Sequence, residues 1–478
     1  MTDVEELKAL FKAYFGAEAV SVEKLAGAGS DREYWRLRAS DARSAVGAKG
    51  TVLEENKAFV AISDHFASKG LNVPRVLAVG EDGMCYLQDD LGDDSLYDAV
   101  SQGRRQASYS SGEKALLLKA VAYLPRLQFE GAEGFDFSVC YPQSEFDRRN
   151  ILFDLNYFKY DYLKLTAAPF DEIALQDDFE RLADDLLSAA CPWGFMYRDF
   201  QARNVMLSNG EPYFIDFQGG RRGPVCYDVV SFVYQAAARY SAALREELTQ
   251  AYIAAAKPYA DLDNADFRGA LRLYALFRTL QVLGAYGFRG YIEKKGHFIA
   301  SVPFALANAA EIICPEYEAR YPELCRVLGL LSRSAAQVQP EGDGRLTVEV
   351  TSFSYRQGLP HDGSGNGGGF VFDCRALENP GRYEQYKKST GLDANVMEFL
   401  EKDGGILVFL QKAKSLVFPH IEKFTQRGFT HMMVSFGCTG GQHRSVYSAQ
   451  KMAEAIAAAY DVNVIVRHTA LNISKVLK

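Results

Sequence analysis

Tyr197-Arg198-Asp199-Phe200-Gln201-Ala202-Arg203-Asn204 and Ile215-Asp216-Phe217-Gln218 decide the reading of this chain, because they space an acid, an amide and a second acid as phosphoryl transfer requires. In the catalytic-loop pattern H-R-D-x-x-x-x-N, the Asp receives or orients the proton of an attacking hydroxyl, and the Asn five residues on holds a divalent metal. Asp199 and Asn204 keep that spacing. Asp216 follows the apolar, strand-like Tyr213-Phe214-Ile215 and stands where a second metal-ligating aspartate is needed. Each residue alone has a plainer explanation, since Asp and Asn favour turns by bonding nearby backbone. The joint spacing, followed by Gly223-Pro224-Val225-Cys226-Tyr227-Asp228 and an apolar helix, singles out phosphoryl transfer. Asp228 reads as a buried carboxylate bracing the catalytic loop through backbone hydrogen bonds.

These motifs resemble the aminoglycoside phosphotransferase and choline kinase superfamily, and within it the bacterial kinases of N-acetylmuramate and N-acetylglucosamine. The resemblance covers roughly residues 1–330, with two departures: Tyr197 stands in the usual His position and Gln218 replaces the glycine of D-F-G. It implies a bilobal, protein-kinase-like α+β fold with a small lobe over 1–92 and a large, mostly helical lobe over 93–330. It also implies ATP and Mg2+, with Asp199 orienting the acceptor hydroxyl and Asn204 and Asp216 holding the metal. Gly27, Gly29 and Ser30, between strand-like flanks, resemble a loop covering the nucleotide, although a plain hairpin turn has the same composition. Lys49, with Glu54 or Glu55, is the candidate cation for the α- and β-phosphates, although Gly47-Ala48-Lys49-Gly50 also reads as a solvated loop. Met84 to Gly92 resembles the hinge between lobes, where Gln88 and Asp90 mark the backbone expected to hold adenine. Arg272, Arg278 and Arg289 read as surface charges on an apolar helix, and Asp147 to Phe158 as a candidate acceptor-recognition segment.

At 478 residues the chain has room for two or three domains, and 48% hydrophobic content supplies their cores. With 53 Lys plus Arg against 61 Asp plus Glu, the net charge of −8 argues against attraction to nucleic acid or anionic membrane organising the molecule. The acidic start, Met1-Thr2-Asp3-Val4-Glu5-Glu6, has no apolar signal region, and no apolar run approaches the ~20 residues of a membrane span. A cytoplasmic location is expected. The eight cysteines form no C-x-x-C pair and read as reduced, buried residues.

From Ser332 to Gly344 apolar periodicity gives way to linker residues, so a linker is expected over 331–345 and a compact α/β domain over 346–478. Leu346 to Phe353, Phe370 to Arg375 and Thr430 to Phe436 read as strands. The last runs into Gly437-Cys438-Thr439-Gly440-Gly441-Gln442-His443-Arg444-Ser445 and then a helix. Such a glycine-rich turn makes an anion nest, in which free N–H groups and the helix dipole favour phosphate and Arg444 adds a charged contact. The stretch from Leu346 to about Ala470 resembles the C-terminal domain of the RNase adapter protein RapZ, through motifs at Phe370–Pro380, Thr390–Asp393 and Gly437–Val446. That resemblance implies binding of glucosamine 6-phosphate, with Cys438, Thr439, Gly440, Gly441, His443, Arg444 and Ser445 around its phosphate and Asp373, Arg375 and Asn379 nearby. The RapZ family's N-terminal P-loop domain is absent, which disfavours an RNA role. Cys438 and Arg444 also satisfy C-x5-R-[ST], the phosphatase loop, but Gly437 stands where a His commonly precedes the cysteine and no general acid is identifiable.

The expectation is therefore α/β and α+β: a bilobal kinase-like fold followed by a compact α/β phosphate-binding domain. Its activity would be ATP- and Mg2+-dependent phosphorylation of an amino sugar or N-acetyl amino sugar. The competing classes are a noncatalytic ATP and sugar-phosphate sensor or RNA adapter, and a Cys438-dependent phosphatase.

Overall fold

A computed structural model describes residues 2–25, 32–166, 168–336, 345–360, 369–427 and 429–478. Gly27, Gly29 and Ser30 lie outside them, as do residues 337–344 of the expected linker. The chain divides into two compact units, Met1–Gly284 with Ala307–Leu328 and Ala285–Leu306 with Gly329–Lys478.

The first unit opens with helix α1 (Asp3–Phe15), whose start is fixed by a reciprocal Thr2–Glu5 capping box and whose end is fixed by Gly16 at φ 68°. Strands β1 (Ser21–Lys24), β2 (Glu33–Arg38), β3 (Ser44–Lys49), β4 (Val76–Val79) and β5 (Cys85–Asp89) form an antiparallel sheet in the order β1-β2-β3-β5-β4, with helix α2 (Leu53–Ser68) between β3 and β4. Register sets which side chains share a face. Tyr34 lies opposite Ala48 and Arg36 opposite Val46, while Ala48 and Val46 lie opposite Tyr86 and Gln88. Alternation then puts Trp35, Leu37, Ala45, Gly47, Lys49, Cys85 and Leu87 on the other face. That second face packs on α1: Leu7 and Phe11 join Trp35, Leu37, Ala45, Cys85 and Leu87 in one core. Gly47 is needed there, since a Cβ would stand 2.8 Å from Leu7. Each Leu or Phe buried in this way contributes about 1.5–3 kcal/mol.

The large lobe is mostly helical, interrupted by two short ribbons that carry the catalytic motifs. Strand β6 (Trp193–Met196) pairs with β9 (Arg221–Pro224), and β7 (Val205–Ser208) pairs with β8 (Glu211–Phe214). Asn209 at φ 53° and Gly210 at φ 77° turn the second ribbon back on itself, the conformation an Asn-Gly hairpin favours. Asp199 and Asn204 therefore lie between β6 and β7, and Asp216 lies just after β8.

In the second unit, strands β10 (Thr347–Ser354), β11 (Gly369–Asp373), β12 (His431–Cys438), β13 (Asn463–His468) and β14 (Ile473–Val476) take the order β11-β12-β10-β13-β14, parallel except for β14. Val348, Val350, Val434, Phe436, Val464 and Val466 pack against Leu410, Val417 and Ile421 of helix Gly405–Gln426, and against Ala449, Met452 and Ile456 of helix Arg444–Ala459. The carboxyl ends of β10, β11 and β12 bring Ser354, Asp373 and Cys438 to one edge, where open α/β sheets bind ligands. At the corresponding end of β13, His468 is buried, with Nδ1 2.9 Å from Ser352 Oγ and Nε2 3.2 Å from Gln450 Oε1. Burial pushes this imidazole down to about 4. A depressed folded value means that the unfolded chain takes up the proton first. Stability present above about pH 6.5 is therefore lost as pH falls toward 4, by up to about 3 kcal/mol. Chemical denaturation of the wild type and His468→Gln at several pH values should give slopes that differ by this amount, since the other titrating groups are common to both; identical slopes would mean that His468 titrates normally.

Among the described residues, no helix is long and apolar enough to cross a membrane.

Candidate functional site

Strand β6 delivers Tyr197 and Arg198 onto a buried carboxylate. Asp228, in helix Cys226–Val233, accepts from the backbone N–H groups of Tyr197 and Arg198, both at 2.8 Å, and from Gln128 Nε2 at 3.1 Å. Burial pushes Asp228 up to about 7 against the pull of these donors. The bracing role expected of it is the one seen. Arg198 takes φ 78°, a left-handed conformation that is costly for a side chain of its size. It is secured there by a two-oxygen contact of its guanidinium with buried Asp154, at 3.0 Å to each oxygen.

Asp199, thus positioned, is more than half exposed. Its Oδ1 lies 3.5 Å from Arg278 Nη2 and 3.5 Å from Gln201 Nε2, and Oδ2 makes no hydrogen bond among the described residues. Asn204 Nδ2 donates to the Asp199 carbonyl at 2.8 Å and to Asp216 Oδ2 at 3.2 Å, which leaves its own Oδ1 for another partner. Gln218 Nε2 donates to Asp216 Oδ1 at 2.8 Å. Asp216 has φ 67° and is raised above the usual carboxylate range, first by burial and then by the charge of Asp199. A cation at this point relieves that repulsion. The donor set of two carboxylate oxygens and an amide oxygen is hard and suits Mg2+. Tyr197, the departure from the usual His, donates its hydroxyl to the Ile215 carbonyl and so ties the two loops together. Phe217 stacks on Phe59 of α2 at 4.9 Å, and Phe59 on Tyr86 of β5 at 5.0 Å. An aromatic column therefore links the Asp216 loop to the small lobe.

Other expected residues fall in different places. Lys49 Nζ pairs with Asp3 of α1 at 3.2 Å, and the contact expected of it at Glu55 is made by Arg32 at 3.3 Å. Asp90 is engaged by Arg36 Nε, 2.9 Å from Oδ2, and by the Gly92 N–H. Gln88 lies in β5 with Oε1 buried and unpartnered among the described residues. In the proposed acceptor segment, Asn150 accepts from Arg221 at 3.0 Å and Asp154 holds Arg198, so helix Arg148–Asp161 braces the catalytic loops. Arg278, read as a surface charge, is 6% exposed and reaches Asp199. It sits in a stretch that is buried throughout, Leu276-Phe277-Arg278-Thr279-Leu280.

In the second unit, register sets Asp373 beside Gly437, bringing β11 to the glycine-rich loop. Gly441 takes φ 69°, and a Cβ there would meet Ala470 at 2.7 Å. Cys438 Sγ is 3.1 Å from Ser445 Oγ. Burial raises the thiol, but the Ser445 hydroxyl and the surrounding loop outweigh it and carry the thiol below its ordinary value. Thr439 and Gly440 are exposed at the turn, and the Thr439 carbonyl accepts from Ser354 Oγ at 2.8 Å. His443 is engaged with the Tyr386 carbonyl at 2.9 Å. Arg444 is buried, with Nη1 donating to the carbonyls of Arg375 and Leu377 at 2.9 and 3.0 Å. Arg375 lies over the Tyr355 ring and grips Asp373, holding that carboxyl below its usual range. Asn379 caps the turn after it by accepting from the Gly381 N–H. All ten residues expected at this site belong to this unit, and β11, β12, the loops that follow them and the start of helix Arg444–Ala459 carry them.

Residues 21–267 match the model of the phosphotransferase enzyme family, and residues 346–472 match that of the RapZ C-terminal domain. A nucleotide-binding protein of Cereibacter sphaeroides is 40% identical over 115 residues, 24% of this chain and 36% of that protein. Among solved structures, a choline/ethanolamine kinase family protein from Mesorhizobium loti aligns with TM-score 0.43 and 15% identity, over 68% of this chain and all of that one. Choline kinase LicA from Streptococcus pneumoniae aligns with TM-score 0.44 and 12% identity, over 65% of this chain and all of that one.

Proposed function

From the premise that this chain belongs to the phosphotransferase enzyme family, we propose that it transfers the γ-phosphoryl group of ATP to a hydroxyl of an amino sugar or N-acetyl amino sugar, and that its C-terminal domain binds an amino-sugar phosphate. The observation that carries the first half is the convergence of Asp199, Asn204 and Asp216 on two loops tied by Asn204 and Tyr197. The acceptor O–H gives its proton to Asp199 as its oxygen bonds to the γ-phosphorus, and the bond from that phosphorus to the β-γ bridging oxygen breaks to release ADP. Asn204 Oδ1 and the Asp216 carboxylate would hold Mg2+, which neutralises charge on the phosphate oxygens when bound. Orientation is the protein's main contribution: the Asp228 anchors fix the loop, and Arg278 keeps the exposed carboxylate of Asp199 in place.

The second half rests on the glycine-rich turn at the carboxyl end of β12, with exposed Thr439 and Gly440 and the start of helix Arg444–Ala459 behind them. A second reading for this loop is phosphate-ester hydrolysis, favoured by the sulfur of Cys438 lying against the Ser445 hydroxyl and by its lowered thiol. Engagement of Arg444 Nη1 by two carbonyls weighs for binding over hydrolysis.

The test incubates the full chain with Mg-ATP and a panel of amino sugars, N-acetyl amino sugars, muramates, choline and aminoglycosides, and detects new phosphate esters by mass. Product on sugars alone supports the proposal, and product only on choline or aminoglycosides removes the sugar assignment. For the second domain, calorimetric titration of glucosamine 6-phosphate against glucosamine should show binding of the phosphate ester alone. Equal or absent binding removes the sugar-phosphate role, and inorganic phosphate release that is lost in Cys438→Ser would turn the loop into a hydrolytic site.

A further inference from the structure

A nucleotide's phosphates need a cation on the sheet face that adjoins the metal loop, and strand alternation puts Lys49 on the opposite one. Lys49 shares its face with Gly47 and Ala45, against Leu7 of α1, and spends its charge on Asp3. The face bearing Tyr34, Arg36, Ala48 and Tyr86 is the one that meets α2 and Phe217, through the stack of Tyr86 on Phe59 and Phe59 on Phe217. Arg32, two residues before Tyr34, belongs to this face. Its guanidinium lies over the Phe59 ring at 5.9 Å.

Arg32 is 5% exposed. Its Nη2 is held from one side, 3.3 Å from Glu55 Oε1 and 3.2 Å from Asn56 Oδ1, both on α2. Asn56 is fixed in turn by donating to the carbonyls of Gly83 and Met84. The Nη1 of Arg32 is buried and finds no hydrogen-bond partner among the described residues, and the same is true of Tyr86 Oη, Gln88 Oε1 and Gln218 Oε1. Buried unmatched polar atoms are uncommon, and these belong to residues in or beside the Tyr86–Phe59–Phe217 stack, where a polar ligand would complete them. Through Phe59, which lies under its guanidinium and stacks on Phe217, Arg32 adjoins the loop that carries Asp216. Arg36 shares the face but is consumed by Asp90, Asp93 and the Gly92 carbonyl.

We propose that Arg32, gripped by Glu55 and Asn56, is the cation that binds the α- and β-phosphates of the nucleotide, in place of a β3 lysine. This rests on the phosphotransferase reading. The arrangement keeps the pairing of a phosphate cation with a helix glutamate but moves the cation from β3 to the start of β2. Small Ala48 opposite Tyr34 leaves room on that face for the longer side chain. An arginine also differs chemically from a lysine there, since its planar fork grips Glu55 with one nitrogen and offers the other to phosphate.

Calorimetry on the full chain with Mg-ATP, Mg-ADP and adenosine tests the assignment. Arg32→Gln should weaken both phosphorylated nucleotides by about 10- to 100-fold and leave adenosine within about threefold, since a charged hydrogen bond is lost and the base contacts are not. Arg32→Lys should recover part of the loss. Glu55→Gln, an isosteric change at a partly exposed side chain, should weaken ATP by several-fold with a smaller loss of stability than Arg32→Gln, which keeps the test informative if Arg32→Gln folds poorly. Lys49→Ala should bind ATP as the wild type does. Wild-type binding of ATP with Arg32→Gln unimpaired, or a loss confined to Lys49→Ala, overturns the proposal alone. A wild-type chain that binds no nucleotide removes the phosphotransferase reading and the proposal with it.

Discussion

Replacing Asp199 by Asn lowers phosphoryl transfer by about 10²- to 10⁴-fold while leaving Mg-ATP binding and the melting temperature close to those of the wild type. The structural reasons are separable. Asp199 is more than half exposed and, among the described residues, its carboxylate meets Arg278 and Gln201, each at 3.5 Å, so an isosteric amide costs the fold little. Its backbone carbonyl, which holds Asn204, is untouched. What the amide cannot do is accept the acceptor's proton. Because the transition state of phosphoryl transfer is loose, much of the carboxylate's work is orientation of the hydroxyl, and the loss should sit inside the general-base range rather than beyond it. Single-turnover assays with the acceptor found in the panel, alongside ATP titration, check this. Turnover within tenfold of the wild type would remove Asp199 as the proton acceptor, and loss of ATP binding would show that it shapes the nucleotide site instead.

The residues legible in the sequence were those whose roles are set by short spacings. Asp199 and Asn204 share one loop, Asp216 follows one strand, and Asp228 lies on the helix just beyond, so spacing alone carried them to the site. The strand-to-helix turn at Cys438 to Arg444 was legible for the same reason. Lys49 was not, because the face a β3 residue shows depends on register with β2 and on which face α1 covers. The sequence does contain the parity, since Gly47 and Lys49 alternate with Val46 and Ala48, but it does not say which set looks toward the metal loop. Arg278 depends on docking a helix nearly eighty residues downstream against the catalytic loop, a contact no local pattern reports. Asp154 is similar: within its own helix it resembles any exposed acid, and only tertiary packing turns it onto Arg198.

Removing Asp228 tests whether the catalytic loop is held by its anchor or by its own turn. In Asp228→Ala, the N–H groups of Tyr197 and Arg198 and one N–H of Gln128 lose their acceptor in a fully buried setting. Each orphaned donor costs about 1–3 kcal/mol, partly offset because a carboxyl that burial disfavours is gone. A net loss of about 3 kcal/mol is expected. Transfer should fall by more than about 10²-fold even where the variant stays folded, because Arg198 at φ 78° would then be held by its Asp154 contact without its backbone anchor, and Asp199 follows it directly in the chain. Asp228→Asn separates the two effects: one acceptor oxygen remains, while the amide N–H₂ meets a backbone donor, so activity should fall further than stability. Denaturant melts with single-turnover rates on both variants decide it. If Asp228→Ala keeps wild-type turnover below its unfolding transition, the loop is ordered by the Asn204 and Tyr197 bridges to the metal loop instead, and Asp228 serves the core alone.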